Sequence, residues 1–470
     1  MKTTFFRNIV EAWRAALFVG GCAFLLALAM TACEQDDDLK PVKTYDVTLQ
    51  LGYPAGFAPV AGVPVTLKNT ITGVVDSKSA DADGLVTFTV IAGLYEATAS
   101  EERSDTLYRY LLNGANSHIE VTDAGTNSAP VPLTLTLQAV PKPAEGDVSP
   151  HGKLIIKELY IGGCQKNDGS GAFIMDPYIV IYNNSTQPAT INNLAVGGLF
   201  PSNAHGSNYF YSNGQLTYAN EGWLPAHFGV WQIHQNDTLL PGEQIVVAIN
   251  GAIDHTVIYS NSVNLANADY YVCYDVEKWN NANYYPAPSE LIPTSHYLTA
   301  YKFPGATGNA WILSAIDPAA IIFTPGDGVT LSEFANVPEN LVYHSANGAA
   351  NSQVGLKVPT EWVLDGIEVY QAGNANNQKR LTPSVDVGYI EFTNNRGHTL
   401  YRNVDRAATE AIIANAGKLV YSYSLGVDGS TDPSGIDAEA SIRNGAHIIY
   451  KETNNTTNDF HQRSRASLRN

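Results

Sequence analysis

Basic charge, cysteine and catalytic signatures are all scarce in this chain. Its 470 residues carry 45 Asp and Glu against only 27 Lys and Arg, a net charge of −18. So acidic a surface repels phosphate backbones, and nucleic-acid binding is not expected. No G-x-S-x-G, H-E-x-x-H, C-x-x-C or P-loop stretch occurs, so no catalytic residue is assigned and no cofactor is expected. A hydrolase that needs only two facing carboxylates would leave no such signature, and that reading stays open without positive support. Beyond residue 32 no apolar run is long enough to span a bilayer.

What is present begins with an export-type leader. Lys2, Arg7 and Arg14, with only Glu11 against them, precede an uncharged and largely apolar run from Ala15 to Ala32. Met30-Thr31-Ala32-Cys33 resembles the lipobox of lipoprotein signals, which implies acylation at Cys33 and a new N-terminus there. Val19-Gly20-Gly21-Cys22 is a second, poorer match, because the apolar "AFLLALAM" would be stranded on the mature protein. An uncleaved transmembrane anchor is the other alternative, since about 18 apolar residues just span a bilayer. The small residues before Cys33 and the hydrophilic sequence after it favour cleavage. Glu34 and Asp36-Asp37-Asp38 then resemble the acidic export tag of surface lipoproteins of the Bacteroides group, and they also suit a solvated tether over 33–43. Removing residues 1–32, with three basic and one acidic side chain, leaves −20 on the mature chain. Cys164 and Cys273 are the thiols that remain. In an exported protein they permit one disulfide; the alternative is two small buried apolar side chains.

The rest reads as all-β. Tyr (26), Gly (39) and Pro (24) are plentiful, and short β-branched or aromatic runs are separated by turn residues throughout. "YDVTLQL" (45–51) and "VPVTLKN" (63–69) alternate as strands. "DADGLVTFTVIAGLYEATAS" (81–100) reads as an Asp-Gly turn, strand, Ala-Gly turn and strand, and "PVPLTLTLQAV" (130–140) closes the region. On these stretches residues 44–140 resemble the small prealbumin-like β-sandwich of carboxypeptidase regulatory domains, which implies a spacer or stability unit without chemistry. "PKPAEGDVSPHG" (141–152) reads as a linker. "KLIIKELYIGG" (153–163), "DPYIVIYNNSTQPATINNLAVGG" (176–198) and "LLPGEQIVVAI" (239–249) then resemble the lamin-tail type of immunoglobulin-like sandwich, implying a larger sandwich over 153–470 with long loop insertions. "EWVLDGIEVYQ" (361–371) fits a strand pair about Asp365-Gly366. "GHTLYRNVD" (397–405), with Arg402, and "YKETNNTTNDF" (450–460) resemble a Bacteroidota lipoprotein family known only as a domain of unknown function.

Candidate sites lie in the loops. His205, His227, His234 and His255 form the densest histidine region, but none has tight ligand spacing, and no metal is assigned. Asp428, Asp432 and Asp437 offer oxygen ligands for calcium in "GVDGSTDPSGIDAE"; an Asx-rich turn accounts for them more simply. "NYFYSNGQLTYANEGWLPAHFGVW" (208–231) and "YYVCYDVEKWNNANYYPAP" (270–288) mix rings with Asn, Gly and Pro, too often interrupted for regular strands. Tyr209, Tyr211, Trp223, Trp231, Trp279, Tyr284 and Tyr285 are therefore the expected ligand contacts, for a glycan or a peptide, unless these rings only pack loops onto the sandwich. The resulting expectation is a lipid-anchored, non-enzymatic binding protein at the outer membrane, accessory to a nutrient-transporting barrel. An adhesion or scaffolding module is the alternative. A ring-lined cleft favours the first, and a flat aromatic patch the second.

Overall fold

Alternation with a period of two builds the N-terminal strands. Val47, Leu49 and Leu51 of Thr44–Gly52 are buried between half-buried or exposed neighbours, and Val65 and Leu67 of Pro64–Asn69 repeat the pattern. The computed structural model describes residues 42–104, 109–122, 125–126, 132–142, 154–212 and 214–469. The expected signal segment (1–32), Cys33, and most of the expected tether (33–43) and linker (141–152) lie outside the described residues. Thr44–Gly52 lies between Leu85–Ile91 and Leu133–Thr136 in one sheet, while Pro64–Asn69, Val75–Ser79, Gly93–Ser104 and Arg109–Thr122 run through a second. Phe88, Tyr95, Leu112 and Leu135 join the valines and leucines above in the core between them. The "DADG" turn forms as expected: Gly84 takes φ 77°, and its amide donates to Asp81 O at 3.0 Å. The Ala-Gly step does not make a hairpin. Leu85–Ile91 and Gly93–Ser104 belong to different sheets, so the chain turns a sandwich corner there.

The remainder centres on a 12-stranded mixed sheet. Its order is Ile390–Phe392, Val363–Gln371, Ala319–Phe323, Ala195–Gly198, Gly229–Gln232, Tyr297–Lys302, Tyr271–Cys273, Gln244–Ala248, Tyr178–Asn183, Leu154–Tyr160, Thr399–Arg402 and Phe460–Arg463. Every one of these strands sends residues into a single core, among them Ile156, Ile181, Val196, Trp231, Val247, Ile322, Ile367, Leu400 and Phe460. The sheet therefore folds back on itself, sandwich fashion, with the 363–371 strand reaching the 154–160 strand. There Ile156 N donates to Asp365 Oδ2 at 2.6 Å. Several strands are buried on both faces: Ala320 and Ile322 point into this core, and Ala319, Ile321 and Phe323 into a second one. That second core is closed by a small sheet of Trp223–His227, Val354–Pro359 and Leu341–Tyr343.

Two expectations are corrected here. Val363–Gln371 is one continuous strand, not a pair about Asp365-Gly366. The Asp365 carboxylate is used instead by Ile156 N and Arg402, which leaves it no part in a turn. The 208–231 stretch, read as too broken for strands, contains or enters four, Tyr211–Ser212, Gln215–Leu216, Trp223–His227 and Gly229–Gln232, and the 270–288 stretch contains Tyr271–Cys273. Trp223–His227 and Gly229–Gln232 lie in different sheets, and Phe228 between them takes φ 57°, which swings the chain from one to the other. Only four short α-helices occur among the described residues: Leu331–Ala335, Arg406–Ala411, Ala438–Arg443 and Thr456–Asp459. None is long and apolar enough to cross a membrane. By Cα proximity Tyr45–Asn470 form one compact unit.

Candidate functional site

The seven aromatic residues singled out by sequence do not converge. Trp231, Trp279 and Tyr285 are buried in the core of the large sheet, with Tyr285 OH donating to Trp311 O at 2.6 Å. They are structural side chains and are withdrawn as ligand contacts. Burial wins because the Gly229–Gln232 strand alternates, placing Trp231 in one core and Val230 in the other. Tyr284 is half-buried against the first core, and Trp223 stacks on Tyr218 at 5.0 Å beside the second. Tyr209 is 49% exposed and leans on His344. Tyr211 lines a cleft.

The thiols are likewise apart in role: Cys164 and Cys273 are both buried and free, with no bridge between them. Cys164 sits in a two-residue strand paired with Ala172–Phe173, whereas Cys273 points into the main core. Burial pushes the Cys164 thiol up to about 11, and the Cys273 thiol well above its ordinary value.

The histidines disperse. His227 is enclosed and stacked with Trp311, and burial pushes it down to about 3, so it is neutral. His255 bonds Gly251 O at 2.5 Å; His234 stands beside Tyr301 OH at 3.3 Å; His205 pairs with Asp317. The acids of the 428–437 loop also have local work. Asp432 accepts from Val404 N and Ser434 N, Asp437 caps Ala438–Arg443, and Asp428 is exposed. Among the described residues no three His, Cys, Asp or Glu side chains converge as a metal site would require.

Where the N-terminal sheets meet the large one, the contacts are polar. Ser117 Oγ bonds Tyr211 OH at 2.6 Å, Gln138 Nε2 donates to Ala219 O at 2.6 Å, and Tyr389 OH donates to Glu96 Oε1 at 2.7 Å. This seam encloses a cleft of about 670 Å³. One wall comes from the N-terminal sheet (Glu96, Ser117, His118); the other carries the His205–Asn208 loop, Tyr211, Tyr370, the Asn374–Gln378 loop, Tyr389 and Glu391. Tyr370 and Tyr389 stack at 4.0 Å and 15°. Glu96, Ser117 and Tyr389 are shared with a smaller cavity of about 310 Å³, on whose side stand Lys68 and Lys379. Lys68 pairs with Glu96 at 3.7 Å and touches Tyr389 OH. Burial raises the Glu96 carboxyl, against the pull of Lys68 and the Tyr389 bond, and burial pushes the Tyr211 hydroxyl up to about 12.

A third hollow, of about 730 Å³, lies by the 429–433 loop. Its histidine, His461, is already engaged on both ring nitrogens, by Asn403 Oδ1 at 2.7 Å and Tyr423 OH at 2.5 Å. The seam cleft is the better site because it combines rings with an unpartnered donor, Asn208 Nδ2. Sequence reasoning missed Tyr370, Tyr389, Glu96 and the asparagine loop. The run "GNANNQ" (373–378) was the visible signal for the last of these.

Together these features define an all-β protein of sandwich character with a polar, ring-bearing cleft at an internal seam. Residues 240–422 match the model of a family described as a protein of unknown function, DUF4876. That span holds Tyr370, the asparagine loop and Tyr389, but neither Tyr211 nor the N-terminal wall. The chain is also similar to the crystal structure of a DUF4876 family protein from Bacteroides thetaiotaomicron. The two share 19% identity with a TM-score of 0.48, over 88% of this chain and 94% of that one. No curated protein matches the chain.

Proposed function

We propose that this chain is a surface lipoprotein, anchored to the outer membrane through Cys33, that binds a small extracellular ligand in the seam cleft. In this reading it works without catalysis, as the accessory of an outer-membrane barrel that takes the ligand up. Residues 44–140 serve as a prealbumin-like spacer, and the lamin-tail-like remainder supplies most of the site. The observation that carries the reading is the cleft itself, since an adhesin or scaffold would be served by a flat ring patch instead. Glu96 and Glu391 both line the cleft, which raises acid–base chemistry as an alternative. What favours binding is that Glu96 is already held by Tyr389 OH and Lys68, and so is poorly placed to exchange protons with a substrate.

The test is purification of the native protein from its own membranes in mild detergent, with mass spectrometry of what accompanies it. A stoichiometric outer-membrane barrel is expected, together with an acylated N-terminal peptide beginning at Cys33. A protein recovered alone would overturn the transporter assignment, and an unacylated Cys33 would overturn the anchor.

A further inference from the structure

Granting the cleft as the ligand site, as proposed above, we infer that its ligand is an uncharged polyhydroxylated molecule, an oligosaccharide, read by His205 and Asn208. His205 Nδ1 lies 2.5 Å from Asp317 Oδ2, and His205 N donates to the same oxygen at 3.2 Å. Asp317 is wholly buried and the imidazole is partly exposed. The carboxylate therefore holds the proton on Nδ1 and fixes the ring, and Nε2 is the imidazole's remaining polar atom at the cleft that His205 lines. Three residues on, Asn208 Oδ1 accepts from Phe210 N at 3.0 Å, which orients the amide. Its Nδ2 is enclosed and has no partner. An imidazole nitrogen and an amide donor three residues apart on one loop are groups that a hydroxyl, which both donates and accepts, can satisfy in either role.

The remaining walls agree with this ligand. No lysine or arginine is among the described residues of the cleft, and of its two imidazoles His205 is already paired with Asp317, so a phosphate or carboxylate would find little counter-charge. Lys68 and Lys379 stand on the far side of Glu96 and Tyr389, and are paired with Glu96 and Asp386. A cation fares little better: Glu96 is already occupied, which leaves Glu391 as the one uncommitted carboxylate. The amides of the Asn374–Gln378 loop and the hydroxyls of Ser117 and Tyr211 suit hydroxyl groups.

The test uses the mature, acylated chain in detergent on an array of neutral, uronate-bearing and amine-bearing oligosaccharides, followed by titration of whatever binds. Three variants accompany it: His205→Ala, Asn208→Ala, and Asn376→Trp, which fills the cleft from an exposed position. Neutral oligosaccharides are expected to bind, with His205→Ala and Asn208→Ala each weakening them about tenfold and Asn376→Trp abolishing binding. If only charged glycans bind and Asn376→Trp abolishes that, the cleft stands and the neutral-ligand inference falls. If binding is indifferent to Asn376→Trp, the cleft reading falls as well, and silence across the array overturns the inference outright. Should His205→Ala fail to fold, Asn208→Ala carries the same comparison from a half-buried position.

Discussion

Arg402 offers the sharpest test of how the rolled sheet is closed. Its guanidinium is 1% exposed and touches four separate pieces of chain. Nε donates to Ile156 O at 2.8 Å, Nη1 to Lys451 O at 2.9 Å and to Glu452 at 2.8 Å, and Nη2 to Asp365; Phe460 lies under the ion at 4.4 Å. Asp459 is a third carboxylate nearby, at 3.7 Å. Replacing Arg402 with Met keeps much of the volume and leaves three enclosed acids without their cation. Removing one member of a buried pair costs about 3–5 kcal/mol. With an unfolding entropy of about 2.1 cal/mol/K per residue, a unit of this length should lose roughly 3–6 °C in Tm. The deficit should also depend on pH. Burial pushes the Asp365 and Asp459 carboxyls above their usual range, and Arg402 pulls them back. A carboxyl raised in the folded state contributes stability at low pH and loses it as pH rises through the folded value. Without Arg402 both carboxyls rise further, so the variant's deficit at pH 8 should exceed that at pH 5. Thermal unfolding of the two proteins at both pH values decides the matter. A loss under about 1 °C at pH 8, or one equal at the two pH values, would refute the idea that the guanidinium compensates ionised acids.

Two further outcomes separate core from surface. Trp231→Ala should cost about 3–5 kcal/mol, again several degrees of Tm, whereas Tyr209→Ala should stay within about 0.5 kcal/mol; equal effects in thermal unfolding would contradict the burial described. Because Cys164 and Cys273 are buried, free and pushed to high pKa, a chromogenic disulfide reagent at pH 8 should label neither in the native mature protein and both in denaturant. Reductant should leave Tm unchanged, and a drop of several degrees would mean that a bridge exists after all.

The all-β class was legible because alternation needs no tertiary information. Val47, Leu49 and Leu51 announce a buried face within seven residues, and the "DADG" turn announces itself through Gly84. The closure of the large sheet was not legible, because it depends on partners far apart in sequence. Asp365-Gly366 looks like a turn until Arg402 and Ile156 claim the carboxylate. Trp223 to Trp231 looks like a decorated loop until Phe228, in a conformation unusual for phenylalanine, divides it into strands of two sheets. Once that division is made, the ring content follows from packing, since a strand between two cores needs large apolar side chains on both faces.

The cleft lies at the opposite end of legibility, for a related reason. Each core is apolar within its own sheets, so what the sheets present to one another is the polar remainder: Ser117, Glu96 and Gln138 on one side, Tyr211, Tyr389 and the asparagine loop on the other. Such a seam is held by a handful of hydrogen bonds and leaves room between them. Its residues come from positions as distant as 96 and 391, and none belongs to a motif, because no single stretch of chain builds the site. Scanning for clustered rings therefore found the cores, where rings are needed in runs. The side chains a polar ligand would meet come from two short loops and from single positions far apart in the chain, and they meet only where the two sets of sheets come together.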